Sequence, residues 1–278
     1  AALQAVKRIF DANKAGHTGS LDPLATGVLP LCLGEATKVS QFLLDSNKRY
    51  QTKIKLGVRT DSGDAEGSVI SSCDKVDVSL SQVKKVLSRF KGEIEQLPPM
   101  YSALKVNGVP LYKLARKGQT IERKTRLVTV FNIDLVEYDS PFIELEIFCS
   151  KGTYIRTIAD DIGEALGCGA HIVELRRLQA GCFDLQESVT LKQLESEREE
   201  FGLEAIDDLL IEADRAVEDL PEVILPAVSA NCIKQGQAVL ARHLPADGLV
   251  RLYEEDQFIG IGSIDEDGRV APRRLIVN

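Results

Sequence analysis

A glycine-rich stretch near the start of the chain holds the side chain best placed to do chemistry. Residues 16–27 contain three glycines, Pro23 and a single acid, Asp22. This density of turn-forming residues predicts a loop that fixes the acid. An ionised carboxylate in such a loop can act as a nucleophile or a general base. The stretch lacks the Gly-Lys-Ser/Thr ending of a phosphate-binding loop, and the residues alone leave an ordinary Asp-Pro turn as the alternative.

The segments around this loop must position it, and their apolar periodicity alternates between helical and strand-like. This mixture predicts an α+β fold. The predicted elements are a helix through Leu3, Val6, Ile9 and Phe10, a helix over about 35–44, a strand over 50–58, a helix capped by Ser79 and Gln82, a strand over 143–147, and a helix over 155–166 closed by Gly167.

The composition of the chain changes near Pro221 and Pro226. An acidic helix and linker segment, 184–219, precedes this point. Beyond it lie short apolar runs at 249–253, 258–264 and 270–277, with an Asp267-Gly268 hairpin signal. We therefore predict a catalytic domain over 1–220 and a small β-domain over 221–278.

Charge is distributed unevenly along the 278 residues. The net charge is −8, but residues 1–60 hold nine Lys/Arg against four Asp/Glu, and residues 83–130 hold eleven against three. Residues 184–219 hold three against thirteen. Because screening limits each charge to about 8 Å, a basic stretch can attract phosphates on an acidic protein. Solvated helix faces are the alternative.

Cysteine spacing and hydropathy exclude several classes of protein. No apolar run approaches the roughly 20 residues of a membrane span. The six cysteines are scattered without a C-x-x-C pair, and His171 and His243 show no metal-ligand spacing. We expect a cytoplasmic protein with no disulfide framework, no metal site and no membrane partner.

Five motifs, in order along most of the chain, resemble those of TruB-type pseudouridine synthases. They are 16–27 around a catalytic aspartate, 45–50 ending in a tyrosine together with the loop 57–67, 98–105 with 111–116 in an RNA-gripping insertion, 151–157, and 169–178. The family's N-terminal Lys-Pro and Thr-Ser motif is expected to precede Ala1.

The resemblance implies a catalytic domain with a mixed, mainly antiparallel sheet, an insertion at about 77–130, and a PUA-like C-terminal domain. It also implies that the protein isomerises uridine to pseudouridine at position 55 in the T-loop of tRNA, without a cofactor. Asp22 is then the catalytic carboxylate, Arg156 the partner that keeps it charged, and Tyr50 the platform on which a flipped base stacks. Whether Asp22 attacks the uracil ring or the ribose, or acts first as a base, stays open.

The resemblance also implies a substrate-binding set. Tyr154 and Leu175 complete the pocket. Because an imidazole can fill the space that a flipped base leaves, His17 in the glycine-rich loop is a candidate stacking or wedge residue, although a solvated turn histidine is equally consistent with its position. The remaining members, predicted to contact RNA, are Lys105, Lys113, Arg116 and Arg176. The expected partner is the tRNA T-arm stem-loop, bound by a monomer that needs no protein partner.

Three alternatives and one further cluster remain. The alternatives are a dyskerin-like synthase directed by guide RNA, a non-catalytic RNA-folding protein on the same scaffold, and a carboxylate hydrolase unrelated to RNA. Asp61, Asp64, Glu66 and Gly67 form an acidic cluster, but it does not meet calcium-loop spacing. We interpret it as a solvated hairpin turn.

Overall fold

The computed structural model describes residues 2–242 and 244–276. Its α-helices are α1 (Ala2–Ile9), α2 (Ser40–Asp45), α3 (Leu80–Leu87), α4 (Leu111–Ala115), α5 (Ile155–Ala165), α6 (Leu191–Phe201), α7 (Leu203–Asp207) and α8 (Ala227–Lys234), with 3-10 helices at Gly34–Lys38 and Ala213–Val217. Its strands are β1 (Ala15–His17), β2 (Thr26–Gly27), β3 (Leu31–Leu33), β4 (Lys48–Leu56), β5 (Val58–Thr60), β6 (Val69–Ser72), β7 (Gly92–Gln96), β8 (Lys105–Val106), β9 (Val109–Pro110), β10 (Arg126–Asp139), β11 (Phe142–Cys149), β12 (Ala170–Ala180), β13 (Phe183–Asp184), β14 (Glu222–Leu225), β15 (Leu249–Glu254), β16 (Gln257–Ile264) and β17 (Val270–Leu275).

The described residues fall into two compact units. The sheet unit comprises Leu21–Val28 and Ser46–Ala180, and the terminal unit comprises the described residues of Ala1–Ser20, Leu29–Asp45 and Gly181–Asn278. Contacts rather than chain order define these units. The boundary near residue 220 that the sequence suggests stays a prediction.

A largely antiparallel sheet dominates the sheet unit, with strand order β12-β4-β11-β10-β7 and β2 added in parallel to β12. Ile143, Leu145 and Ile147 alternate inward along β11, and each is fully buried. They pack with the apolar face of α5 and with Ile54 of β4. Burial of this kind, at about 25 cal/mol per Å² of apolar surface, is what holds α5 on the sheet. The predicted α+β class with a mainly antiparallel sheet is confirmed.

Two predicted elements are interrupted. The strand expected over 50–58 breaks at Gly57, whose φ of +88° is left-handed and where a Cβ would lie 2.7 Å from Val76 Cγ2. The helix expected over 35–44 is split into the 3-10 helix and α2. There, the Thr37 hydroxyl donates to the Gly34 carbonyl and the Ser40 hydroxyl to the Thr37 carbonyl, each at 2.8 Å. Such local bonds compete with a continuous α-helix.

The predicted RNA-gripping insertion, about 77–130, begins just before α3 and ends within β10, and β7 inside it pairs with the start of β10. Between them, residues 97–125 form the β8–β9 hairpin followed by α4. The capping box predicted at Ser79 is present at the start of α3. The RNA-binding role of this segment stays a prediction.

The C-terminal part of the terminal unit is a four-stranded sheet of order β14-β15-β16-β17 packed with α8. The Asp267-Gly268 signal is confirmed as the turn between β16 and β17, where Gly268 has a φ of +72°. The last predicted run ends at Val277, which lies outside the described residues. None of the described helices has both the length and the apolar character that a membrane crossing demands.

Candidate active site

The Asp22 loop is held by a short turn and by β2. The Ala25 amide donates to the Asp22 carbonyl at 2.9 Å, and the Val28 amide donates to the Arg177 carbonyl at 2.9 Å. Gly27 makes this approach possible, since its φ is +101° and a Cβ there would lie 2.1 Å from the Arg177 carbonyl oxygen. The loop is therefore tied to β12, and the Asp22 side chain keeps 31% of its surface exposed.

Arg156 pairs with Asp22 through two nitrogens on one edge of its guanidinium. Nε donates to Asp22 Oδ2 at 2.7 Å and Nη2 donates to Asp22 Oδ1 at 3.1 Å. The remaining donors bond to the carbonyls of Ser62 and Tyr101, each at 2.8 Å. Because the Arg156 side chain is 4% exposed and fixed at four points, it presents a rigid fork to the carboxylate. Both Asp22 oxygens act as acceptors, as an ionised carboxylate does.

A second carboxylate lies beside this pair. Asp64 Oδ2 is 3.8 Å from Arg156 Nη1, and the Ser62 hydroxyl donates to Asp64 Oδ1 at 2.5 Å. The interpretation of this acidic cluster as a solvated turn is wrong for Asp64, which is 4% exposed. The β5–β6 hairpin folds its acid inward because the buried guanidinium of Arg156 needs a counter-charge.

Tyr50 lies in the middle of the sheet, on β4. Its neighbours across the strands are Ile147 of β11 and Arg177 of β12. Burial raises the pKa of the Tyr50 hydroxyl and the charge of Asp22 adds to that rise, whereas Arg177 opposes it. The charges of Arg177 and Asp22 therefore both act on the hydroxyl of the predicted stacking residue.

Tyr154 caps the N-terminus of α5, two residues before Arg156. The Gln96 side chain brackets it, accepting from the Tyr154 amide at 2.7 Å and donating to the Tyr154 carbonyl at 3.1 Å. On the ring side, the Arg126 guanidinium lies 4.8 Å from the ring centroid. These contacts fix the start of α5 and therefore the position of Arg156 in its first turn.

We expect Gln96→Leu to lower the free energy of unfolding by about 1 to 3 kcal/mol, because the Tyr154 amide loses its acceptor while the Tyr154 carbonyl keeps the Ile158 amide, at 3.2 Å, as a donor. Gln96 is fully buried. Urea denaturation measures the loss. Glu95→Leu, on the exposed face of the same strand, is the matched control and should change stability by less than about 0.5 kcal/mol. Equal urea midpoints for the two variants would show that the bracket does not stabilise the fold.

Leu175 and Arg176 lie on β12, facing opposite sides of the sheet. Leu175 is buried in the same core as Tyr50 and Leu24. Arg176 is exposed and, with Leu24 and Leu175, helps to line a cavity of about 240 Å³. The substrate-binding roles of Leu175 and Arg176 stay predictions.

The predicted basic residues are all solvent-accessible. Lys105 lies on β8, Lys113 lies on α4, and Arg116 caps α4 with its guanidinium 5.5 Å from the Tyr112 ring. The backbone of Tyr101, which accepts from Arg156, connects this segment to the candidate site.

The histidines play no part in the Asp22–Arg156 arrangement that the structure describes. His17 ends β1 in the terminal unit, is exposed, and accepts from the Gly19 amide at 3.3 Å. His171 Nδ1 lies 2.8 Å from the Val58 carbonyl, and His243 lies outside the described residues. Within residues 2–242 and 244–276, no three His, Cys, Asp or Glu side chains come together as a metal site would require. The role of His17 stays a prediction.

Sequence reasoning assigned no functional role to Gln96, Asp64 or Arg177. Arg177 carried a signal, because it is two residues from buried Leu175 on the same strand, where alternation places both on one face. Asp64 and Gln96 carried none, since a turn acid and a strand glutamine usually face water. Their roles depend on Arg156 and Tyr154, which are distant in the sequence.

Family models cover nearly the whole chain. Residues 7–155 match the TruB family pseudouridylate synthase N-terminal domain. Residues 156–227 match the tRNA pseudouridylate synthase B C-terminal domain, and residues 221–276 match the pseudouridine synthase II TruB C-terminal model.

Curated relatives agree with these matches. The chain is 53% identical to the tRNA pseudouridine synthase B of Tolumonas auensis, covering 99% of this chain and 87% of that protein. It is 54% identical to the same enzyme of Pseudomonas putida, covering 99% and 90%. It is 52% identical to the tRNA pseudouridine synthase B of Coxiella burnetii, and the match covers 99% of this chain and 89% of that protein.

Solved structures also resemble this fold, and two of them illustrate the similarity. One is a Cbf5-Nop10-Gar1 complex, with a TM-score of 0.73 and 27% identity over 100% of this chain and 79% of that one. The other is an H/ACA RNP bound to a substrate RNA containing 2'-deoxyuridine, with a TM-score of 0.75 and 25% identity over 100% and 80%. Because family models match nearly its whole length and its relatives are 52–54% identical, the chain belongs to the TruB family of pseudouridylate synthases.

Proposed function

We propose that this enzyme isomerises uridine to pseudouridine at position 55 in the T-loop of tRNA, with Asp22 as its essential carboxylate. The observation that carries the proposal is the bidentate Asp22–Arg156 pair, in which a partly exposed carboxylate is held by a buried guanidinium. The chain is 52–54% identical to tRNA pseudouridine synthase B enzymes. In such a chain, this accessible and oriented carboxylate is the group that can react with a substrate.

The reaction needs only groups that the chain supplies. Isomerisation breaks the bond between ribose C1' and uracil N1, joins C1' to C5, releases the C5 proton to water and leaves N1 with a proton taken from water, so no oxidant or second substrate is consumed. The Asp22 oxygens serve as nucleophile or base in this sequence. Arg156 holds the carboxylate ready because a guanidinium keeps its proton at any working pH.

Access to the uridine requires that the nucleotide leave its stack. Flipping the nucleotide out of its stack costs a few kcal/mol. Stacking of the flipped base on an aromatic ring offsets about 1 to 3 kcal/mol of that cost. The half-buried ring of Tyr50, whose hydroxyl feels the charge of Asp22, supplies such a platform. Tyr154 and Leu175 complete the pocket, and Arg176 borders the adjoining cavity.

The tRNA is held by the basic residues between β7 and β10. Three positive charges are exposed on one short segment, those of Lys105, Lys113 and Arg116. When exposed Lys and Arg side chains neutralise phosphates, the counterions condensed on the RNA are released, and this release favours binding. The T-arm stem-loop is the part of tRNA that this segment grips.

Replacing Lys105, Lys113 and Arg116 with glutamine should weaken tRNA binding and reduce the slope of log affinity against log salt by about 2, because each lost phosphate contact removes about 0.7 to 0.9 of a released counterion. Filter binding across a salt series measures the slope. The matched control neutralises Lys75, Lys192 and Arg198, which changes net charge by the same amount elsewhere. An equal slope in parent and test variants would rule out phosphate contacts by this segment.

We favour a stand-alone enzyme over one directed by guide RNA. Identity to tRNA pseudouridine synthase B proteins is 52–54%, against 25–27% for the Cbf5 and H/ACA structures. The proposed organisation is a catalytic domain over 1–220 and a PUA-like domain over 221–278, acting as a cytoplasmic monomer.

Tritium release tests the proposed function. Transcripts carrying tritium at uracil C5 should lose label when the substrate is whole tRNA or an isolated T-arm stem-loop, and should retain it when the substrate is an anticodon stem-loop. Activity that appears only after a guide RNA or protein partner is added would support the guide-directed alternative. No release from any of these RNAs would contradict the proposal.

A further inference from the structure

Arg177 is the largest fully buried side chain among the described residues, at 2% exposure. Its Nε donates to the Val28 carbonyl at 2.6 Å, but Nη2 is buried with no hydrogen-bond partner in the described part of the chain. A buried, charged donor without an acceptor is costly and rare in folded proteins. Such a group is expected where a ligand or a moving side chain supplies the missing acceptor.

The surroundings of Arg177 connect the Asp22 loop to Tyr50. On one side, Arg177 exchanges backbone and side-chain hydrogen bonds with Val28, six residues after Asp22. On the other, the register of β12 with β4 places it opposite Tyr50, where side chains of neighbouring strands touch. The Arg177 guanidinium lies near enough to the Tyr50 hydroxyl that its charge and its N–H donors both lower the pKa of that group, against the larger, opposite effect of burial.

We propose that Arg177 is a positioning residue: its guanidinium orients the Tyr50 side chain against the Asp22 loop and donates through Nη2 to the Tyr50 hydroxyl when uridine occupies the site. The inference rests on the proposed function and deepens it. A phenol has one proton to donate and lone pairs to accept with. When Arg177 donates to the Tyr50 oxygen, the hydroxyl proton is turned away from Arg177 and toward the substrate.

A double-mutant cycle tests this role. Arg177→Met replaces the guanidinium with an apolar chain of similar length, and Arg177→Lys keeps the charge without the fork. Each is made in the parent and in the Tyr50→Phe background. Single-turnover pseudouridine formation on tRNA is measured with enzyme in excess, alongside tRNA affinity and urea unfolding.

We expect Arg177→Met to slow the single-turnover step by at least about tenfold in the parent and by less than about threefold in the Tyr50→Phe background, because the two residues act as one unit. Arg177→Lys should retain part of the rate. Equal losses in both backgrounds, or no loss in either, would overturn the proposal. If Arg177→Met does not fold, Arg177→Lys and Arg177→Gln carry the same comparison.

A second readout does not depend on catalysis. The ultraviolet difference titration between each protein and its Tyr50→Phe counterpart reports ionisation of the Tyr50 phenol, which is faced by Arg177, Cys149 and Asp22. Arg177→Met should move that titration to higher pH, and an unmoved titration would overturn the proposal. If the parent formed no pseudouridine, the proposed function would fail while this titration still decided whether Arg177 acts on Tyr50.

Arg251→Met is the matched control. Its Nε also donates to a backbone carbonyl, that of Leu220 at 2.9 Å, and its side chain is 18% exposed. Because Arg251 belongs to β15, this variant should change neither the single-turnover rate nor the Tyr50 titration. A loss equal to that of Arg177→Met would show a general effect of removing a buried guanidinium and would overturn the proposal.

Discussion

Asp22→Asn should form pseudouridine at less than about one per cent of the parent rate, because it removes the ionisable oxygen on which nucleophilic or base catalysis depends. The shape of the side chain hardly changes. Asparagine offers one acceptor to the Arg156 fork where the carboxylate offers two, so the pair survives only in part. Affinity for tRNA should stay within a few fold, since the basic segment is untouched. Single-turnover tritium release and filter binding measure the two effects separately.

Asp11→Asn is the matched control for this change. Asp11 also forms an ion pair with an arginine, at 2.8 Å from Arg198 Nη2, but it is 65% exposed. Exposed pairs contribute little, about 0 to 1 kcal/mol, so this variant should react like the parent. Activity of Asp22→Asn above one per cent would contradict the catalytic assignment of Asp22.

The second large effect is expected at Arg156. Arg156→Lys keeps the positive charge, but an ammonium cannot serve two Asp22 oxygens and two carbonyls in one plane. Since misplacing a reacting group by about 1 Å can cost about 100-fold in rate, we expect a loss of at least about 100-fold in the single-turnover rate. Loss of rate with little loss of tRNA affinity is the expected pattern.

Arg156→Met should also destabilise the fold. Within the described part of the chain, it removes both the cation beside Asp64 and the ion-pair partner of Asp22. Removing one partner of a buried pair costs about 3 to 5 kcal/mol, and we expect the lower end because the Asp22 side chain is 31% exposed. Urea denaturation measures the loss, with Arg198→Met as the surface control. If Arg156→Lys reacted at the parent rate, the fork would have no catalytic importance.

Local patterns in the sequence predicted much of the fold. The alternation of Ile143, Leu145 and Ile147 and the capping box at Ser79 depend on neighbouring residues, so both were readable. The break at Gly57 was not, because its cause is the approach of Val76, nineteen residues away. Sequence spacing cannot show which distant residue will pack so close to a glycine that no Cβ fits there.

The candidate site shows the same limit more strongly. Asp22 and Arg156 are 134 residues apart and meet at 2.7 Å, and only the family resemblance paired them in advance. The inward turn of Asp64 follows from the burial of Arg156, which no composition or periodicity reveals. Gln96 was unpredictable for a similar reason, since its role is to satisfy the backbone of Tyr154 rather than to follow a pattern of its own.

The most direct test of the central claim is to map pseudouridine along a full-length, unmodified tRNA transcript after reaction with the purified parent protein and with Asp22→Asn. Chemical adduct formation followed by reverse transcription locates each pseudouridine to one nucleotide. We predict a single new modification, at position 55 in the T-loop, with the parent protein and none with Asp22→Asn. Modification at another position, or equal modification by both proteins, would contradict an Asp22-dependent T-loop synthase.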